Sequence, residues 1–152
     1  MTNADSLETG VDTSKLQALH YPGRMFWVDV ACPATGLDGA LSVVVVEGDA
    51  SRQYKVRDVI LVGGGTNFGG GGNRLLDLTD GTTVFTQIAN ADLETAPTAS
   101  LPYGNAKVPM LTGKTNVKTT AGADLVFKYS GGTTDHTTGS ITFSVMLEEF
   151  DA

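Results

Sequence analysis

Nucleophilic or acid–base chemistry in this chain would have to run through very few side chains: Cys32, His20, His136 and a scatter of carboxylates. A thiol or hydroxyl nucleophile needs a base within hydrogen-bond reach and an acid that orients the base. His136 stands in GGTTDHTTG beside Asp135, and adjacent residues of an extended chain point to opposite faces. No serine sits in a G-x-S-x-G elbow. Both histidines therefore read as surface loop residues. A lone cysteine can make neither an intramolecular disulfide nor a zinc site of cysteine pairs. Cys32 closes an apolar run, the setting of a small core residue rather than a reactive thiol. Asp77, Asp80 and nearby carbonyls could meet a hard cation, yet the EF-hand spacing is absent. Acid pairs for glycoside chemistry come from distant strands and leave no local signature; only five glutamates exist, and Glu148 and Glu149 close the last strand. The expectation is a protein with no catalytic, metal-binding or cofactor-binding residues, not an enzyme.

The segment Gly63–Gly72 (GGGTNFGGGG), with seven glycines in ten residues, invites a phosphate-binding reading, and its frame refuses it. G-x-G-x-x-G from Gly63 puts its third glycine on Phe68, and from Gly69 on Arg74. No lysine follows as a P-loop needs, and NRLLDLTDG runs into a turn rather than a helix whose N-terminus could hold an anion. Two readings stay open. One is a flexible surface loop; the other is a contact loop in which Thr66, Asn67 and Phe68 meet a partner, with Phe68 as the exposed aromatic anchor.

The elements that would position these residues are strands. Glycine supplies 19 of 152 positions and threonine is abundant, a composition suited to turns and half-buried pleated surfaces. Strands are expected over Arg24–Ala31, Ala40–Glu47, Arg52–Val62, Asn73–Thr79, Thr82–Ala89, Asp124–Ser130 and Ser140–Glu149, with a weaker one in Val108–Thr120. The four valines from Val43 suggest a strand covered on both faces, and Trp27 in RMFWVDVA reads as core. Asp80-Gly81 signals a two-residue type I′ hairpin. Asn90–Lys107, with Pro97 and Pro102, reads as a long connection with one helical turn over Ala91–Thr95. About eight strands without sustained helical periodicity predict an all-β fold, a β-sandwich or jelly roll, over residues 24–152.

Residues 1–23 differ. They carry early acids (Asp5, Glu8, Asp12) and a sparse apolar series of Leu7, Val11, Leu16, Leu19 and Tyr21; Asp12 or Ser14 could cap a short helix that Pro22-Gly23 ends. An extended arm is expected here, either disordered or docked on a neighbouring subunit.

Charge narrows the partners. The formal net charge is -7 and the basic residues are scattered, so nucleic acid, bound through phosphate neutralisation, is not the expected partner. Lys55 and Arg57 alternate, as on a solvated strand face. MTNADSLETG has neither the basic start nor the apolar run of a signal peptide, and Val43–Val46 is far short of the ~20 residues that span a bilayer. The expectation is a soluble, cytoplasmically made chain with no membrane contact.

Two stretches, YKVRDVILVGGGTNFGGGGNRLLDLTDGTTVFTQI (Tyr54–Ile88) and YSGGTTDHTTGSITFSVMLEEF (Tyr129–Phe150), resemble virion structural proteins of tailed bacteriophages, and among them capsid decoration, or cement, proteins. The resemblance covers roughly residues 50–150. It implies a β-rich homo-oligomer, typically a trimer, without an active site. It also implies that the major capsid protein is the partner and the outer capsid surface of the virion the location. Competing readings are a tail, neck or fibre component, a carbohydrate-binding sandwich, and a β-rich hydrolase for which no acid pair or triad is visible.

Overall fold

The computed structural model describes residues 23–37, 42–95, 105–107 and 110–152. The arm residues Leu7, Val11, Leu16, Leu19 and Tyr21, and the helix expected near them, lie outside the described residues. The strands are β1 (Arg24–Pro33), β2 (Val43–Val46), β3 (Arg52–Gly69), β4 (Leu75–Thr79), β5 (Val84–Ile88), β6 (Asn105–Lys107), β7 (Leu125–Ser130) and β8 (Thr138–Asp151). One short helix, α1 (Asn90–Thr95), stands where a helical turn was expected. A 3-10 turn over Lys114–Asn116 replaces part of the weak strand expected in Val108–Thr120.

These strands form two antiparallel four-stranded sheets, ordered β1-β8-β3-β6 and β2-β7-β4-β5. First pairs with last, second with seventh, third with sixth and fourth with fifth. That nesting is one long hairpin rolled over on itself, the jelly-roll form of a sandwich. The alternation in β8 is as expected: Ile141, Phe143, Val145 and Leu147 are wholly buried, while Thr142, Ser144 and Glu148 face outward. Across the sandwich Phe143 stacks on Phe127 of β7, ring centroids 4.6 Å apart and 21° from parallel.

Three local expectations give way. β2 lies in one layer of a two-sheet sandwich, so its valines are covered on one face only: Val45 is buried and Val44 exposed. The β4–β5 connection is not a two-residue turn, because Thr79 pairs with Val84 and Asp80–Thr83 form the loop. Asp80 decides this: its Oδ1 accepts the Thr82 and Thr83 N–H groups (2.9 and 2.7 Å) and its Oδ2 the Thr120 N–H (2.7 Å). A side chain that satisfies three amides stabilises a wider loop than the dipeptide alone suggests. Burial pushes the Asp80 carboxyl up, but these N–H donors outweigh it and hold it below its ordinary range.

Cys32 is fully buried on the inner face of β1. Burial pushes its thiol up to about 12, so almost no thiolate exists near neutrality. The native protein should therefore not react with a disulfide titrant at pH 8, and should release one equivalent of thiol after denaturation. Rapid labelling of the native fold would contradict this packing.

Candidate functional site

The glycine-rich run is not a loop. β3 continues through it to Gly69, with Thr66 facing Ser140 and Gly69 facing Thr138 across the ladder to β8. Phe68 is not the exposed anchor expected from the sequence. Its ring is wholly buried, edge-on to Tyr129 (6.2 Å) and 5.5 Å from His136. Asn67 Nδ2 donates to Glu94 O, and Thr66 Oγ1 accepts the Ser140 N–H (3.0 Å); of the three, only Thr66 is exposed. Past the strand, Gly72 is required by close approach. A Cβ on Gly72 would stand 2.5 Å from His136 N and 2.6 Å from its ring, distances no side chain tolerates.

His136 is likewise not a surface residue. It is buried among Phe68, Tyr129 and Gly72, with Nε2 3.4 Å from Arg74 O. Its neighbour Asp135 accepts a hydrogen bond from Arg74 Nε (2.6 Å). The other candidate carboxylates are similarly engaged. Asp77 accepts from Gln87 Nε2 (2.9 Å), and Glu149 lies between Arg24 and Arg52. Among the described residues no group of three His, Cys, Asp or Glu converges as metal ligands. His20 lies outside the described residues. What the sequence offered as chemistry, the fold uses as packing, capping and pairing.

The surface that remains is the outer face of β1. Trp27, expected in the core, is 45% exposed, and Met25 two residues earlier is 56% exposed. The reason is parity: Phe26, Val28, Val30 and Cys32 take the inner face, which turns Met25, Trp27 and Asp29 outward. RMFWVDVA has three apolar residues of four on each face, which leaves sequence periodicity unable to say which face is buried. Trp27 pairs with Met146 of β8, and Met146 with Asp58 of β3, so an indole and a thioether lie side by side on the sheet. Asp29, the acid nearest them on β1, accepts a hydrogen bond from Ser144 Oγ (2.6 Å).

β1 is also a sheet edge; no strand pairs with its far side among the described residues. The Ala34 N–H donates to Gly139 O (2.9 Å), continuing the ladder. Even-numbered residues of β1 thus direct their backbone groups at β8, and odd-numbered ones at the open edge. Pro33 is odd-numbered and needs no donor there. The other odd positions, Met25, Trp27, Asp29 and Ala31, present both an edge and an outward side chain. The ten-residue edge carries Asp29 and Pro33, features that blunt an edge, but leaves Met25 and Trp27 exposed between Arg24 and Asp29. Comparison with protein-family models, curated proteins and solved structures finds no match.

Proposed function

We propose that this protein is a non-enzymatic structural component of a tailed-bacteriophage virion, a decoration protein that binds the outer capsid surface and stabilises the head by bridging capsomers. The observation that carries the reading is the exposed Trp27 and Met25 on the edge strand β1. Aromatic anchors of this kind concentrate binding energy in interfaces, and the open edge ahead of Pro33 can accept a further strand by main-chain hydrogen bonds. The jelly roll supports the reading only by analogy, since capsid proteins, lectins and cupins share it. The engagement of each described candidate for chemistry in packing supports a binding role over a catalytic one. Many copies, each weakly held, would strengthen a shell through multivalency, and the net charge of -7 suits an exterior position away from DNA.

The test is made on particles. Heads lacking the protein should lose packaged DNA at lower temperature than complete heads, and adding back the purified protein should restore them. Add-back of Trp27→Ser should fail to restore them while the variant keeps its thermal midpoint. Unchanged head stability without the protein would overturn the decoration reading. A copy number of a few to dozens per virion would favour the tail, neck or fibre alternative. One observation favours a second reading: an exposed indole on a flat sheet face is also how sugar-binding sites present a stacking platform. Specific retention of the isolated protein on a glycan array, lost in Trp27→Ser, would select it.

A further inference from the structure

Asp29 is exposed on the outer face of β1 and makes no ion pair among the described residues. It stands two residues from the exposed Trp27, on the same side of the strand. We infer that this edge takes a basic strand: an extended segment of another protein that pairs with β1 and places an arginine or lysine opposite Asp29. The inference rests on the reading of β1 as a binding edge and names the chemistry of what binds there.

The cations near this face are committed elsewhere. Arg57 pairs with Glu148 and Arg24 with Glu149, and Lys55 Nζ lies 5.0 Å from the centroid of the Phe150 ring. Asp29 has the Ser144 hydroxyl, which donates to its Oδ1 (2.6 Å). A carboxylate offers about four acceptor positions, and one neutral donor leaves its charge unmatched. Across the sheet the row Trp27, Met146, Asp58 places a second carboxylate on the same face. Trp27 thus has one acid along its own strand and another two strands away.

The register of the edge brings both side chains to one partner residue. Odd-numbered positions of β1 direct their backbone groups at the open edge, so Trp27 and Asp29 would each form a hydrogen-bonded pair with an added antiparallel strand. The residue opposite Asp29 stands diagonal to Trp27, ~7–8 Å away and within reach of a long side chain. An arginine there meets the carboxylate with its fork and can lay its guanidinium on the indole. Asp29 also decides what is refused. An edge charge opposes the addition of an apolar strand, and a base removes that penalty. A second copy paired β1 to β1 supplies no base. Continuing the sheet pairs outward residues with outward residues, and Met25, Trp27, Asp29 and Ala31 include none.

The probes are two fluorescein-labelled synthetic strands of alternating threonine and valine that differ only in a central arginine or glutamate. Their binding to the full chain is read by fluorescence anisotropy at low ionic strength. The arginine strand should bind roughly threefold tighter or more, the scale of exchanging a like-charge cross-strand pair for an opposite-charge one. Asp29→Asn keeps an acceptor for the Ser144 hydroxyl and removes the charge. This variant should hold the wild-type thermal midpoint and lose most of the preference. Equal binding of the two probes to the wild type, binding of neither, or a preference that survives in Asp29→Asn would overturn the inference. So would self-association that dilution reverses and Trp27→Ser abolishes, because a second copy would then hold this edge. Head stabilisation is read separately by the add-back assay. An arginine preference in a protein that does not stabilise heads would sink the decoration reading alone; heads restored by a protein that binds both probes equally would sink this inference alone.

Discussion

Phe127→Ala should lower the free energy of unfolding by about 3–5 kcal/mol, the range for emptying an aromatic core site. Phe127 and Phe143 are both 0% exposed and belong to different sheets, so their 4.6 Å stack is a direct tie across the sandwich. Stacking adds ~0.5–1.5 kcal/mol beyond area burial. The site cannot readily collapse. Val43 and Leu78 flank Phe127 on neighbouring strands, and ladder hydrogen bonds fix both. For a chain of this size each kcal/mol moves the midpoint by ~2–4 °C, so calorimetry should show a fall of roughly 6–20 °C. Phe127→Leu, which refills most of the volume, should recover much of the loss. A fall under about 1 kcal/mol, ordinary for a surface change, would mean that the two sheets do not close on this pair.

The residues that form this core were legible in the sequence because a strand repeats every second residue. β8 declares its buried face in Ile141, Phe143, Val145 and Leu147, all four of them wholly buried. Where both faces of a strand carry apolar residues the same signal fails. RMFWVDVA offers Met25 and Trp27 on one face and Phe26, Val28 and Val30 on the other, and only the partner sheet decides between them. Val43–Val46 failed in the same way, because a run of valines does not reveal that only one of its faces meets the other sheet.

The glycine run shows a different limit. Its composition correctly announced a backbone that must come close to something, and it could not announce what. The contact is with His136, 64 residues away in sequence and next door in space. Phe68 and His136, read one at a time as exposed loop residues, are buried by each other. Both stretches that carried the family resemblance meet here, Tyr54–Ile88 contributing Phe68 and Gly72, and Tyr129–Phe150 contributing His136. The pattern that looked like a recognition loop is thus a joint within the fold, and the candidate surface moved to β1, where sequence had placed core.

A pH-dependent effect belongs to Glu149. Its side chain is 1% exposed, yet it lies between Arg24 (2.5 Å) and Arg52, whose side chains are 56% and 23% exposed. Burial pushes the Glu149 carboxyl up; the hydrogen bonds and charges of the two guanidinium groups outweigh it and hold the group below the ordinary carboxylate range. A carboxyl depressed in the folded state stabilises the fold fully above its unfolded value of about 4.3, and that contribution is lost as pH falls through the lower folded value. Arg24→Met/Arg52→Met keeps the aliphatic stems but leaves burial to act on Glu149 without either guanidinium. At pH 7 the double variant should lose about 3 kcal/mol, the lower end for stripping a buried charge of its partner, because both arginines are partly solvated already. The pH response of this group then weakens. Without the two guanidinium groups the folded carboxyl rises toward its unfolded value or above it, so protonation costs the variant less than it costs the wild type. Urea unfolding at pH 7 and near pH 4 should therefore show the stability gap closing in acid. A gap that stays constant between the two would mean that Glu149 is hydrated in the folded protein and that the arginine pair contributes packing alone.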